Sequence, residues 1–211
     1  MTFHTPSESK FTRHHREEVE MVFSGIDCVL NGERAIYCSS ELTTGLRLYS
    51  ALRENKVKSA GELKEKMGGP WYTANIWNAN VKSSNEFARS VRRASKDKEI
   101  VITPAPFSAP GWGQHEYLLF WETLLRTRIK SAWFNHNWQY SNGCTFEFAV
   151  ALHAGLYTFD HRGDALDRAA GIDLIQSAIK ELAKDGFDVG KLRGHLEKAQ
   201  SEPASAGAVV P

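Results

Sequence analysis

The chain has 211 residues, 42% hydrophobic and 24% charged, which is enough for one sizeable core and ordinary for a soluble globular protein. Its formal net charge of +1 gives no global electrostatic reason to expect a nucleic-acid or membrane partner, so either would need a local patch. No apolar run approaches a membrane span, the N-terminal stretch MTFHTPSESKFTRHHREEVE has no apolar signal core, and Cys28, Cys38 and Cys144 lack metal-ligand spacing; these features predict a cytoplasmic chain with reduced thiols and no metal or other cofactor.

Residues 1–12 are expected to be disordered. A helix is predicted over Arg13–Phe23, its charges crowded on one exposed face, as a docking or dimer helix. His14 and His15 are adjacent, so on a helix they point in different directions and read as surface residues rather than a metal pair. The turn Asn31–Gly32 leads into the first strand, RAIYCSS (Arg34–Ser40), which passes through Glu41–Gly45 into the helix LRLYSALREN.

A long insertion, about 55–98, follows. It carries MGGPWYTANIWNANVKSS and then a basic helix, NEFARSVRRASKDK. Lys82, Arg89, Arg92, Arg93, Lys96 and Lys98, with Trp71, Tyr72 and Trp77 upstream, have the composition of a nucleic-acid surface. Glu86, Asp97 and Glu99 partly balance that charge, and a solvated helix face is the simpler reading.

The second strand, EIVITPAP (Glu99–Pro106), is stopped by its prolines. The helix HEYLLFWETLLRTR precedes a third strand, Ile129–Asn135, and a fourth is expected at Leu156–His161. From Asp164 to about Gln200 the pattern is two amphipathic helices broken near KDGFDVGK, and 201–211 reads as a flexible tail.

Strands alternating with helices predict a single α/β domain over 13–200: a flavodoxin/Rossmann-like, mostly parallel sheet with helices on both faces, a helical insertion after the first strand and a helical C-terminal arm. In such sheets ligands bind beyond the carboxyl ends of the strands. That directs attention to three loops, Cys38–Glu41, Pro104–Trp112 and Asn135–Gly143. The phosphate loop of nucleotide triphosphatases, the dinucleotide fingerprint after the first strand, the H-E-x-x-H zinc motif and the G-x-S-x-G nucleophile elbow are all absent.

The run SNGCTFEFAVALHAG places Glu147 between Phe146 and Phe148, one turn inside a helix that starts near Asn142–Gly143. Ser141 is the expected N-cap, and the free amides of the first turn make an anion site. Ala151 and Gly155, four and eight residues on, share the Glu147 stripe, where small residues let the helix pack closely on the sheet. Aromatic neighbours would raise the pKa of the carboxylate and the helix N-terminus would oppose that. On spacing alone, Glu147 is either a reactive carboxylate beside an anion pocket or a charge that complements the helix dipole.

This run resembles the helix-opening motif of the nucleoside 2-deoxyribosyltransferase-like superfamily, S/D-x-G-x-x-x-E-x-x-x-A-x-x-x-G, matched here by Ser141, Gly143, Glu147, Ala151 and Gly155. AIYCSSEL is similar to that family's first strand and substrate loop, VITPAP…GWG to its second strand, and WETLLRTRIKSAWF to the helix and strand before the motif, so the likeness spans roughly 33–165 with the insertion outside it. The resemblance implies that Glu147 is the nucleophile attacking the anomeric carbon of a (deoxy)ribosyl group. Ser141, where the nucleoside transferases carry Asp, implies the nucleoside 5′-monophosphate N-glycosidase branch. It further implies phosphate or ribose contacts from Ser39, Ser40, Asn142 and Gly143, a sugar or nucleophile contact from Tyr37, base-stacking roles for Trp112 and Trp138, and a homo-oligomer. Arg128 stands where the family has an Asp before the third strand, and Glu122 is the nearest acidic residue to the Asp the family often has in the preceding helix, which leaves the leaving-group acid open. The alternatives are nucleoside deoxyribosyltransfer, a TIR-like NAD glycohydrolase, and a non-catalytic nucleotide- or nucleic-acid-binding module.

Overall fold

The computed structural model describes residues 13–95 and 99–201. The expectations for residues 1–12 and 202–211, for Lys96 and Lys98, and for the side chains of His14 and His15 lie outside the described residues.

Strands β1 (Ala35–Ser39), β2 (Val101–Ile102), β3 (Ile129–Phe134) and β4 (Tyr157–Phe159) form one sheet, ordered β2-β1-β3-β4, with every neighbouring pair parallel. This is a flavodoxin-like order, and its topological switch point lies between β1 and β3. The helices are α1 (Arg13–Leu30), α2 (Leu46–Asn55), α3 (Ala60–Met67), α4 (Gly69–Tyr72), α5 (Asn78–Ala94), α6 (Gln114–Arg128), α7 (Asn142–His153), α8 (Arg168–Lys184) and α9 (Gly190–Gln200). A π-helical turn, Thr73–Trp77, joins α4 to α5, and a 3₁₀ turn, Trp138–Tyr140, precedes α7.

β1 is buried along its whole length because helices cover both faces of the sheet. Ile36 and Cys38 pack with Phe87, Ala88 and Val91 of α5, while Ala35 and Tyr37 belong to the larger core on the other face, with α6 and α7. The period of two thus sends Tyr37 and Ser39 to the same side.

The edge strands are shorter than their sequence runs. Of the expected Glu99–Pro106, only Val101–Ile102 pairs, since Pro104 and Pro106 lack the N–H a ladder needs, and residues 103–113 fold across the sheet end instead. β4 likewise covers three residues of the expected Leu156–His161. α1 runs seven residues beyond the expected Phe23, to Leu30, because Phe23 and Leu30 both enter the core. Phe23 stacks on Phe120 with centroids 4.9 Å apart, and Met21 and Val29 stay exposed.

The C-terminal helices are part of the core layer: Ile175, Leu182, Leu192 and Ala199 are fully buried, and His153 Nε2 on α7 donates to the Lys198 carbonyl of α9 at 2.8 Å. Gly171 of α8 lies against the Phe148 ring, where a Cβ would come within 2.0 Å of Cζ. Phe148 is itself fully buried against Phe134 and Trp138, so it has nowhere to go. Gly171→Ala is therefore expected to destabilise the fold by about 1–3 kcal/mol in denaturant titrations despite alanine's better helix propensity.

Candidate active site

The site forms where β1, β3 and α7 meet, at the switch point. β3 ends at Phe134, and the 3₁₀ turn brings the chain round to Ser141, whose extended backbone (φ −99°, ψ 126°) opens α7. Ser141 Oγ accepts from the Cys144 N–H at 3.4 Å and lies 3.5 Å from Thr44 Oγ1, which accepts from the Asn142 N–H at 3.0 Å. The Thr145 N–H donates to the Ser141 carbonyl, so Gly143 holds the first-turn amide that none of these caps takes.

One turn further in, Glu147 is 5% exposed. Tyr37 donates its phenol O–H to Oε1 at 2.8 Å, and Ser39 donates Oγ–H to Oε2 at 2.6 Å. Burial pushes the Glu147 pKa up to about 7, against the lowering effect of the Ser39 and Tyr37 hydrogen bonds. Burial and the adjacent carboxylate push the Tyr37 phenol well above its ordinary value. The charge that complements a helix dipole bonds the first-turn amides; here both carboxylate oxygens are held by β1 side chains, so the carboxyl is fixed across the sheet rather than used as a cap.

Above Glu147 opens a cavity of about 450 Å³, within the range of small-molecule sites. Its floor is polar: Ser40, Ser141, Gly143, Cys144 and Glu147. Its walls are aromatic: Trp77, Phe107, Trp112, Tyr117 and Trp121. Among the described lining residues Glu147 is the one carboxylate, and none is Lys or Arg. Ser40 Oγ is buried on this floor with no hydrogen-bond partner among the described residues. An orphaned hydroxyl of this kind has a donor and an acceptor to offer an occupant.

Of the residues singled out in the sequence, Glu147, Ser40, Ser141, Gly143 and Trp112 line the cavity, and Tyr37 and Ser39 support the carboxylate from β1. Asn142 does not line it; its N–H is bound to Thr44. Trp138 does not either: it is core, with centroids 4.9 Å from Phe134 and 4.8 Å from Phe148. Trp112 both lines the cavity and packs, its Nε1–H donating to Glu18 at 3.1 Å. Gly155, expected to pack against the sheet, instead ends α7 at φ 67°, its N–H bonded to the Leu152 carbonyl while Leu156 N–H reaches Ala151, the usual glycine stop. Glu122 lies outside the cavity and pairs with Arg126 at 2.9 Å, and Arg128 pairs with Asp27 at 2.7 Å.

Sequence reasoning missed Phe107, Tyr117, Trp121 and the cavity role of Trp77. Tyr117 Oη accepts from the Ala109 N–H at 2.9 Å, which pins the loop over the site. A Pro-rich loop ahead of an aromatic-rich helix was the available signal. On α5, Lys82, Arg89, Arg92 and Arg93 are exposed beside Glu86, the pattern of a solvated face. Among the described residues no group of three or more His, Cys, Asp or Glu could hold a metal, no helix is long and apolar enough to cross a membrane, and the three cysteines are free. Comparison with protein-family models, with curated proteins and with solved structures finds no match.

Proposed function

We propose that the chain is an N-glycosidase that cleaves the base–sugar bond of a (deoxy)nucleoside 5′-monophosphate, with Glu147 as nucleophile, in the manner of the nucleoside 2-deoxyribosyltransferase-like superfamily it resembles. One observation carries this reading: a buried carboxylate, held by two hydroxyls, faces an aromatic-walled cavity at a helix N-terminus. A Glu147 oxygen attacks the anomeric carbon, the carbon–nitrogen bond breaks, and its electron pair leaves with the base, which takes up a proton. Water then attacks the same carbon, releasing the carboxylate and giving up a proton. Two fixed hydrogen bonds orient the carboxylate before attack, which lowers the reorganisation needed at the transition state.

The 5′-phosphate belongs at the α7 N-terminus, met by the Gly143 amide and the Ser141 and Ser40 hydroxyls. The lack of Lys or Arg among the described lining residues favours a second reading, transfer between neutral nucleosides, in which a second base replaces water. Both keep Glu147 as nucleophile, and a homo-oligomer remains part of the proposal by resemblance.

The test is base release from ribo- and deoxyribonucleoside monophosphates, the free nucleosides and NAD, followed by chromatography. Release from a monophosphate is expected. Release from free nucleosides only when an acceptor base is added would select the transferase, and release from NAD alone would select the TIR-like class. No release from any of them would remove the catalytic reading and leave a binding module.

A further inference from the structure

A parallel crossover needs about a dozen residues, yet the one between β1 and β2 runs from residue 40 to 100 and includes the rod formed by α4, the π-turn and α5. That rod is fastened to the mouth of the site. Ser84 Oγ lies 2.8 Å from Thr103 Oγ1, in the loop after β2. Asn135 Nδ2, after β3, donates to Ser83 Oγ at 3.3 Å. Asn80 Nδ2 donates to the Leu42 carbonyl, after β1, at 2.9 Å, while Asn80 Oδ1 accepts from Arg47 Nε at 2.9 Å. One helix therefore ties together the loops that follow β1, β2 and β3. Asn80 and Ser84 are buried, so these bonds are shielded from water.

One turn before Asn80 comes the π-turn. Such turns are rare inside α-helices and recur at functional positions, because the wider coil redirects side chains. Here Ile76 is 1% exposed in the core, while its neighbour Trp77 stands at the cavity, 38% exposed. The other aromatic walls, Phe107, Trp112, Tyr117 and Trp121, come from the segment after β2, and the last three all pack on Phe107. Among the described residues Trp77 makes no ring contact with that cluster, and it borders the cavity from a separate element.

We infer that Trp77 is the outer stacking wall of this cavity, and that the inserted rod selects ligands carrying a planar aromatic group; on the glycosidase reading, that group is the base. The rod's hydrogen bonds to the strand-end loops hold the indole at a fixed distance from the floor that carries Glu147. An indole on a tied helix loses little freedom when a ring stacks on it, and stacking tolerates any base because every base has a π-face.

Calorimetric titration tests this with purine and pyrimidine nucleoside 5′-monophosphates and with ribose 5-phosphate, using the full chain carrying Glu147→Gln so that nothing turns over. Adding Trp77→Ala is expected to weaken the base-bearing ligands by about tenfold or more and to leave ribose 5-phosphate unchanged. Trp77→Phe should stay within about threefold of the tryptophan protein, since a phenyl ring still stacks. Unchanged affinity in Trp77→Ala, or an equal loss for ribose 5-phosphate, would overturn the inference. Trp77-dependent binding in a protein that releases no base would uphold the stacking wall while removing the glycosidase. No binding of any base-bearing ligand would overturn both.

Discussion

Glu147→Gln is expected to lose base release by at least about a thousandfold and, at pH 8, to melt at a higher temperature than the wild type. The loss of rate follows from the role given to the carboxylate: an amide oxygen is too weak a nucleophile to form the glycosyl ester, and removal of a nucleophile commonly costs several orders of magnitude. The gain in stability follows from burial. The Glu147 pKa is raised to about 7 from an ordinary 4.5, so the fold favours the protonated form. That preference supports stability fully below about pH 4.5, weakens as pH rises through the window up to about 7, and is gone above it. The full penalty for holding the ionised group is on the order of 3 kcal/mol by this reckoning, or several degrees of melting temperature for a chain of this size.

Glutamine occupies the same volume, keeps an acceptor for the Tyr37 or Ser39 hydroxyl, and never ionises. Glu41 is also raised to about 7 by burial, against the Leu46 N–H bond that lowers it, and titrates in the same window in both proteins. The informative quantity is thus the difference between the two melting curves across pH 4 to 8. A mutant that is inactive and less stable at every pH would mean that Glu147 is a structural linchpin rather than a strained functional group.

The second expected result concerns the two hydroxyls on β1. Ser39→Ala and Tyr37→Phe should each move the ascending limb of the kcat/KM pH profile to higher pH, with a loss of about ten- to a thousandfold at pH 7. In the wild type that limb is expected near pH 7, since the attacking carboxylate must be ionised. Each hydroxyl donates to one carboxylate oxygen and stabilises the charged form, so removing either raises the pKa further. Ser39 has the shorter bond and is the larger of the two lowering influences, so its variant should shift more. A uniform drop across all pH values, with the limb unmoved, would indicate that these hydroxyls only pack.

Several of these features were legible in the chain itself. Alternation of strands and helices specified an α/β sheet, because a strand buried on both faces needs helical crossovers. The Ser141–Gly143 turn marked where α7 begins, since a hydroxyl N-cap and a glycine beside it are local chemistry that needs no partner. An apolar setting for Glu147 was expected from the run itself, and the carboxylate is 5% exposed, although Phe146 and Phe148 turn to other partners, His195 and the Phe134–Trp138 pair.

What the sequence could not decide depends on contacts between segments far apart along the chain. Tyr37 and Ser39 lie 110 and 108 residues from Glu147, and only the parallel pairing of β1 with β3 brings their hydroxyls to its two oxygens. Trp112 and Trp138 are equivalent as residue types, yet one borders the cavity and the other is sealed between Phe134 and Phe148, because the 3₁₀ turn before α7 points inward. Gly155 fits a packing stripe by spacing, but the helix had already ended, and backbone handedness rather than side-chain volume accounts for it.

The insertion shows the same division. Its composition is that of a charged surface helix with aromatics upstream, and the exposed Lys82, Arg89 and Arg93 agree with that. The position of Trp77 depends on a π-turn and on hydrogen bonds to three separate loops, none of which leaves a periodic trace. Local periodicity and capping therefore determined the elements and the carboxylate, while the partners of that carboxylate and the walls around it were decided by tertiary packing, where bonds form between residues that the chain itself keeps far apart.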